Sequence, residues 1–289
     1  MASDTQLAPE PVTTIDMELP HQSFSSDRNV VIAAFIDLAS GMKSVGLWLG
    51  LAWEEFVQRY RRSYIGIAWA VLSFMVFTLA ILFFVAAIRD GILGEMTVFI
   101  LFGFLFFQLC SSLVTDGTYV FITSQQWIKS VRLPFTVFVM RGMARSLMVF
   151  AFNCIGAGLI LAFYGYRPTS AGLWAIPGLL AVIFNALWIY LLLGTVVARF
   201  RDLGHAIEAV MRMAFFITPI MWLPPEGGMR RVIAEVNPFT HFIALMRDPL
   251  LYGTVPVFNW MVVGCISVVG TLIGFAVFAR YRGKIVLWV

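Results

Sequence analysis

Between residues 63 and 280 the chain alternates long uncharged, mostly apolar runs with short charged turns. A helix needs about 20 apolar residues to cross hydrocarbon. Five runs meet that length: Ser63–Ile88, Met96–Thr115, Ser146–Tyr166, Pro168–Ala198 and Leu250–Arg280 up to its closing arginine. Met213–Pro225 is uncharged for only 13 residues, about 20 Å of helix. It crosses only if its helix starts near Leu203 and carries Glu208 and Arg212, which at i and i+4 can pair on one face. That pair must face protein or water, because an unpaired charge in lipid costs several kcal/mol. The pattern predicts an all-α integral membrane protein with six transmembrane helices, near residues 63–88, 96–115, 146–166, 173–198, 203–224 and 256–279.

Two segments flank these spans differently. In residues 40–62, Leu49, Ala52, Trp53, Phe56 and Tyr60 recur at spacings of three and four, while Glu54, Glu55, Gln58, Arg59 and Arg62 take the other face. This predicts an amphipathic helix in the headgroup plane; a soluble helix packed on a neighbour is the alternative. Glu226–Gly253 is rich in apolar residues but interrupted by Pro238, Arg247 and Pro249, so it cannot cross. Two short helices, Met229–Val236 and Pro238–Asp248, dipping into or covering the outer leaflet, fit better than a long structureless loop. Residues 1–39, with Pro9, Pro11, Pro20 and an excess of acids, read as a disordered cytoplasmic tail without the features of a signal peptide.

Composition agrees with lipid as the solvent. Apolar residues make up 60% and charged residues 12%, against about 45–50% and about 25% in soluble domains. That excludes a disulfide scaffold and a disordered chain, and argues against a soluble enzyme. The net charge of +4 becomes informative once sorted by side. With the N-terminus inside, 15 basic residues fall on the cytoplasmic side, Arg59, Arg61 and Arg62 foremost, and five on the outer side. The expectation is a multi-pass membrane protein with both termini cytoplasmic. Cys110, Cys154 and Cys265 read as buried free thiols.

The chain offers little chemistry of its own. It has three histidines, no His-Glu-x-x-His and no Gly-x-Ser-x-Gly. Gln108, Asn153 and Asn185 are better interhelical partners than catalysts. No Gly-x-x-x-x-Gly-Lys-Ser/Thr cradle is present, so energy for any transport must come from a partner. Gly270 and Gly274 permit close helix approach, within the chain first and between chains second. Trp69, Phe106, Phe107, Trp188 and Trp222 could line a sugar path by ring stacking; lipid-facing or core positions are the plainer reading.

Several segments together resemble one family. Arg59-Tyr-Arg-Arg-Ser-Tyr-Ile-Gly-Ile-Ala-Trp69, Arg199-Phe-Arg-Asp202, Thr218-Pro-Ile220, Asn237-Pro-Phe-Thr-His241 with Arg247, and Arg280-Tyr-Arg-Gly-Lys-Ile-Val-Leu-Trp288 are similar to segments of the permease subunits of ABC-2-type polysaccharide exporters. The likeness covers roughly residues 45–289; Ser73-Phe74 stands where many relatives have a proline. The resemblance implies a non-catalytic, channel-forming homodimer working with two copies of a cytoplasmic ABC ATPase. ATP and Mg would be bound by that partner, with no cofactor, metal or nucleic acid in this chain. The cargo would be an undecaprenyl-type lipid-linked polysaccharide, O-antigen of lipopolysaccharide first and capsule second.

The same likeness makes Asp116–Arg132 the ATPase-coupling segment, with Gln125, Gln126, Trp127 and Lys129 at its core; a merely solvated basic loop is the alternative. It makes the helices around Asn237 and Pro238 an outer gate carrying His241 and Arg247, whose plainer role is to pin that gate by hydrogen bonds. Arg199 and Asp202 read as a structural ion pair at the cytoplasmic boundary, with substrate gating the sharper alternative. Two other functions stay open: an ABC-2 permease for a small lipid or drug, and a membrane-embedded factor of glycan assembly.

Overall fold

The computed structural model describes residues 27–61, 64–88, 94–225 and 227–289. Arg62, Arg89, Glu226 and residues 1–26 of the tail lie outside them. The described residues form eleven α-helices and no strand. These are α1 (Asp27–Lys43), α2 (Val45–Tyr60), α3 (Ala68–Ile88), α4 (Gly94–Thr123), α5 (Gln125–Ser130), α6 (Phe135–Phe163), α7 (Ala175–Arg199), α8 (Asp202–Ile217), α9 (Met229–Val236), α10 (Pro238–Tyr252) and α11 (Val257–Trp288). A 3-10 turn, Ser170–Trp174, leads into α7.

Helix α4 is the core of the molecule. It packs against α6, α7, α8 and α10, and Ile100, Leu101, Leu109, Leu113 and Phe121 are fully enclosed. Helix α3 lies outside, mainly on α6, and turns Val76, Phe83 and Phe84 outward, as a helix solvated by lipid would. Helix α11 closes the bundle against α7, where Gly270 and Gly274 admit Trp188. A Cβ at Gly270 would stand 2.3 Å from that indole. The glycine pair is therefore an intrachain seam.

Five helices are long and apolar enough to cross a membrane, and six if the bent pair formed by α1 and α2 counts as one span. The segment 203–224 expected to cross is not among the five. Helix α8 stops after 16 residues, about 24 Å, because Thr218 is extended (ψ 137°) ahead of Pro219.

The other differences are at boundaries. Residues 27–39, read as tail, are helical, and α1 meets α2 at 67°. Helix α6 begins at Phe135, eleven residues before the expected span, and residues 116–123 continue α4.

Candidate functional site

Three clusters stand out along the bundle. The first is at the end that carries α9 and α10. Asn237 ends α9 and caps α10, its Oδ1 accepting from the Phe239 N–H at 3.0 Å, and Pro238 occupies the first helical position. The same amide donates through Nδ2 to Thr218 Oγ1 at 2.8 Å, and Thr218 in turn donates to the Ala214 carbonyl. Arg247, buried on α10, donates to the Pro219 carbonyl at 2.9 Å and lies 4.1 Å from the centroid of Phe99. The broken end of α8 is thus held by two side chains from α10. His241 Nε2 contacts the Glu235 carbonyl at 2.8 Å and Nδ1 contacts Asn259 at 2.5 Å. A carbonyl only accepts, so Nε2 carries the hydrogen, and the ring joins α9 to α11. All four residues of this motif meet in one place.

The second cluster lies half-buried at the opposite end and uses residues scattered along the sequence. Glu55 on α2 pairs with Arg145 and, at 3.4 Å, with Arg141, both on α6. Arg145 also reaches Asp116 on α4 at 3.1 Å, and Arg141 donates to Ser124 Oγ at 2.9 Å. Ser146 donates to Asp116 at 2.6 Å and contacts the enclosed Tyr190 hydroxyl of α7 at 3.2 Å. Gly117 and Gly142 make room for that ring: a Cβ on either would stand within 2.8 Å of it. The cluster lies toward the C-terminal end of α4 rather than at its middle. Asp116 is about 33 Å along α4 from Gly94, roughly the thickness of the hydrocarbon.

Periodicity had put Glu55 on the polar face of an interfacial helix and the arginines in a cytoplasmic flank. The structure turns all three inward, because Ala52 and Phe56 pack on α6 and bring Glu55 with them. Trp53, Arg59 and Arg61 remain exposed.

The third feature is α5. Gln125, Gln126, Trp127 and Lys129 are exposed, while Ile128 turns toward the core. The N-cap of α5 is Ser124, the residue that Arg141 holds.

Other expected residues do not converge. Arg199 and Asp202 make no ion pair; the Arg199 guanidinium instead lies 5.2 Å from the centroids of both Phe200 and Trp288. Among the aromatic candidates for a channel, Phe106 and Phe107 are buried in the core. Trp188 fills the α7–α11 seam, its indole N–H donating to Asn185 at 2.8 Å. Trp69 is half exposed, and Trp222 donates to the Phe216 carbonyl at 3.2 Å. These five rings line no common path in the single chain. The buried Asp37 and the half-buried Glu55 and Asp116 are anchors that periodicity does not single out. Only Asp37 carries a local signal, an acid between apolar neighbours; Glu55 follows Glu54 and Asp116 lies between Thr115 and Gly117.

Comparison with known proteins places this geometry. Residues 47–251 match the ABC-2 type transporter family. Two proteins of Klebsiella pneumoniae, each called O-antigen export system permease protein RfbA, are 23% and 24% identical over 235 and 238 residues. Each alignment covers 79% of this chain and 89% of the relative. A protein of the same name from Myxococcus xanthus is 25% identical over 234 residues, covering 78% of this chain and 88% of its own.

Proposed function

The chain belongs to the ABC-2 type transporter family, a family of transmembrane transporter components, and on that premise we propose that it is the permease of an exporter for lipid-linked O-antigen-type polysaccharide. The observation that carries this is the breadth of the likeness to the O-antigen export permeases, which spans 79% of this chain and 89% of theirs. A shared sequence over about four fifths of this chain and nine tenths of the relatives supports a shared topology and cargo. The working unit in this reading is a homodimer in the bacterial inner membrane, with both termini cytoplasmic and two ATPase subunits that bind ATP and Mg.

Two arrangements suit that role. Helix α5 offers Trp127 and its polar neighbours to a docking partner. Its cap, Ser124, is tied through Arg141 to Glu55 of α2, so a push on α5 reaches α6 and α2 through ionic contacts. At the other end, the Asn237, His241 and Arg247 contacts hold α9 and α10 against α8 and α11 as a gate that must release to let cargo out.

Deleting the gene should abolish surface O-antigen-type glycan while its lipid-linked form accumulates in the inner membrane. Trp127→Ala should leave the protein inserted, reduce co-purification of the ATPase and lower surface glycan. Normal surface glycan in the deletion strain would overturn export. Unchanged ATPase recovery with Trp127→Ala would overturn the docking role of α5.

A further inference from the structure

At the α5 end of the bundle an open cleft of about 720 Å³ runs between the last turn of α7, the first turn of α8 and the end of α11. It holds two exposed arginines, Arg199 and Arg201, and among the described residues neither forms an ion pair. The one acid in the wall is Asp202. It stands in the first turn of α8, where a carboxylate offsets the positive end of its own helix. The Arg199 guanidinium lies 5.2 Å from the centroids of both Phe200 and Trp288. Two aromatic contacts restrain one guanidinium, and cation–π contact with a ring face uses none of its N–H donors. The rest of the wall, Ala198, Phe200 and Leu203, is apolar, with Phe200 and Leu203 exposed. Arginines serving only to set topology need neither two ring contacts nor a cleft.

We propose that this cleft binds a phosphate or diphosphate carried on an apolar chain, the head of the lipid-linked cargo, as it approaches the permease from the cytoplasmic leaflet. The planar donor edges of Arg199 and Arg201 match phosphate oxygens in two-point contact. The exposed Phe200 and Leu203 in the same wall offer apolar surface for the first isoprenoid carbons. A cleft of this size is in the range that takes a small ligand, about 300–1,000 Å³. The assignment rests on the export reading for its sidedness and cargo.

The test uses the full-length protein in nanodiscs of phosphatidylcholine, with farnesyl diphosphate as probe and binding followed by native mass spectrometry. Farnesyl diphosphate should bind the wild type, and farnesol and inorganic diphosphate should bind much more weakly. The double variant R199Q/R201Q should lose about 10- to 100-fold in affinity, the value of one to two charge-assisted hydrogen bonds. R199K/R201K should recover part of that loss, which a purely structural role would not predict. Trp288→Leu should weaken binding with no change of charge. Equal affinity of wild type and R199Q/R201Q, at equal yield and thermal stability, would overturn the site. Displacement of the probe by an equal concentration of phosphatidylglycerol would assign the cleft to the bilayer's own lipid and overturn its role for cargo. Both results leave the export reading intact, since that falls only if the deletion strain keeps its surface glycan.

Discussion

Glu55 holds two arginines at once, and they come from the next but three helix in the chain. Arg141 and Arg145 lie almost out of solvent, with side chains 9% and 13% exposed, while Glu55 is 33% exposed. Removing one partner of such a cluster leaves charge without compensation, which is costlier than never having built the pair. Glu55→Ala should therefore lower stability by roughly 1–3 kcal/mol, below the full cost of a buried pair because the carboxylate is partly wetted. Thermal unfolding in detergent, read by loss of monodisperse protein, measures it. An unchanged midpoint would show that Asp116 alone carries Arg145. Of this cluster the sequence displayed only single charges. The contacts join residues 30 and 90 positions apart, and no local spacing encodes such a distance. The motif around α10 is more legible, because Asn237, Pro238, His241 and Arg247 share one short segment. Their targets, Thr218, Pro219 and Asn259, were not.

Helices in this bundle approach as closely as their glycines allow. Gly178 on α7 faces the backbone of α10, and a Cβ there would stand 2.7 Å from the Leu245 carbonyl oxygen. That neighbour is main chain inside a helix and cannot turn aside, so Gly178→Ala must push α10 away from α7. Gly46, within α2, has nothing within 4 Å of the same added atom. Gly46→Ala should be neutral or stabilising by up to about 1 kcal/mol through helix propensity, and Gly178→Ala should lower the melting temperature by several degrees. Equal effects of the two would contradict the close α7–α10 contact. Element types were readable because hydrophobic blocks of 20 or more residues admit little besides helices. Element ends were not. Helix α6 starts at Phe135 because Asp37, from α1, accepts from the Phe135 and Thr136 N–H groups at 3.1 and 2.9 Å, a cap that Pro134 cannot supply. Helix α8 ends where Thr218 and Pro219 break it, so an expected crossing became a short helix resting on α4.

Across the whole molecule Asp37 is the tie between the two ends of the described chain. Its fully buried carboxylate caps α6 and pairs with Arg282 of α11 at 2.8 Å, across 245 residues. Asp37→Asn keeps the shape but removes the charge that both Arg282 and the start of α6 require. It should cost about 1–3 kcal/mol, visible as faster proteolysis near Lys43 and Arg282 and a lower thermal midpoint. Retained protection at both sites would show that α1 and α11 are joined by apolar contacts alone. By itself the sequence determined the solvent, the helical class, the number of unmistakable apolar spans, the bias of positive charge and the motifs that resemble one family. Those follow from composition and local period, which act over a few turns. Only the tertiary structure decided that Glu55, Arg141, Arg145 and Asp116 meet, that Trp188 fills a helix seam, that Arg199 lies near two rings, and that α8 stops short. Each of those depends on which helix faces which, set by side chains packing at contacts far apart in the chain.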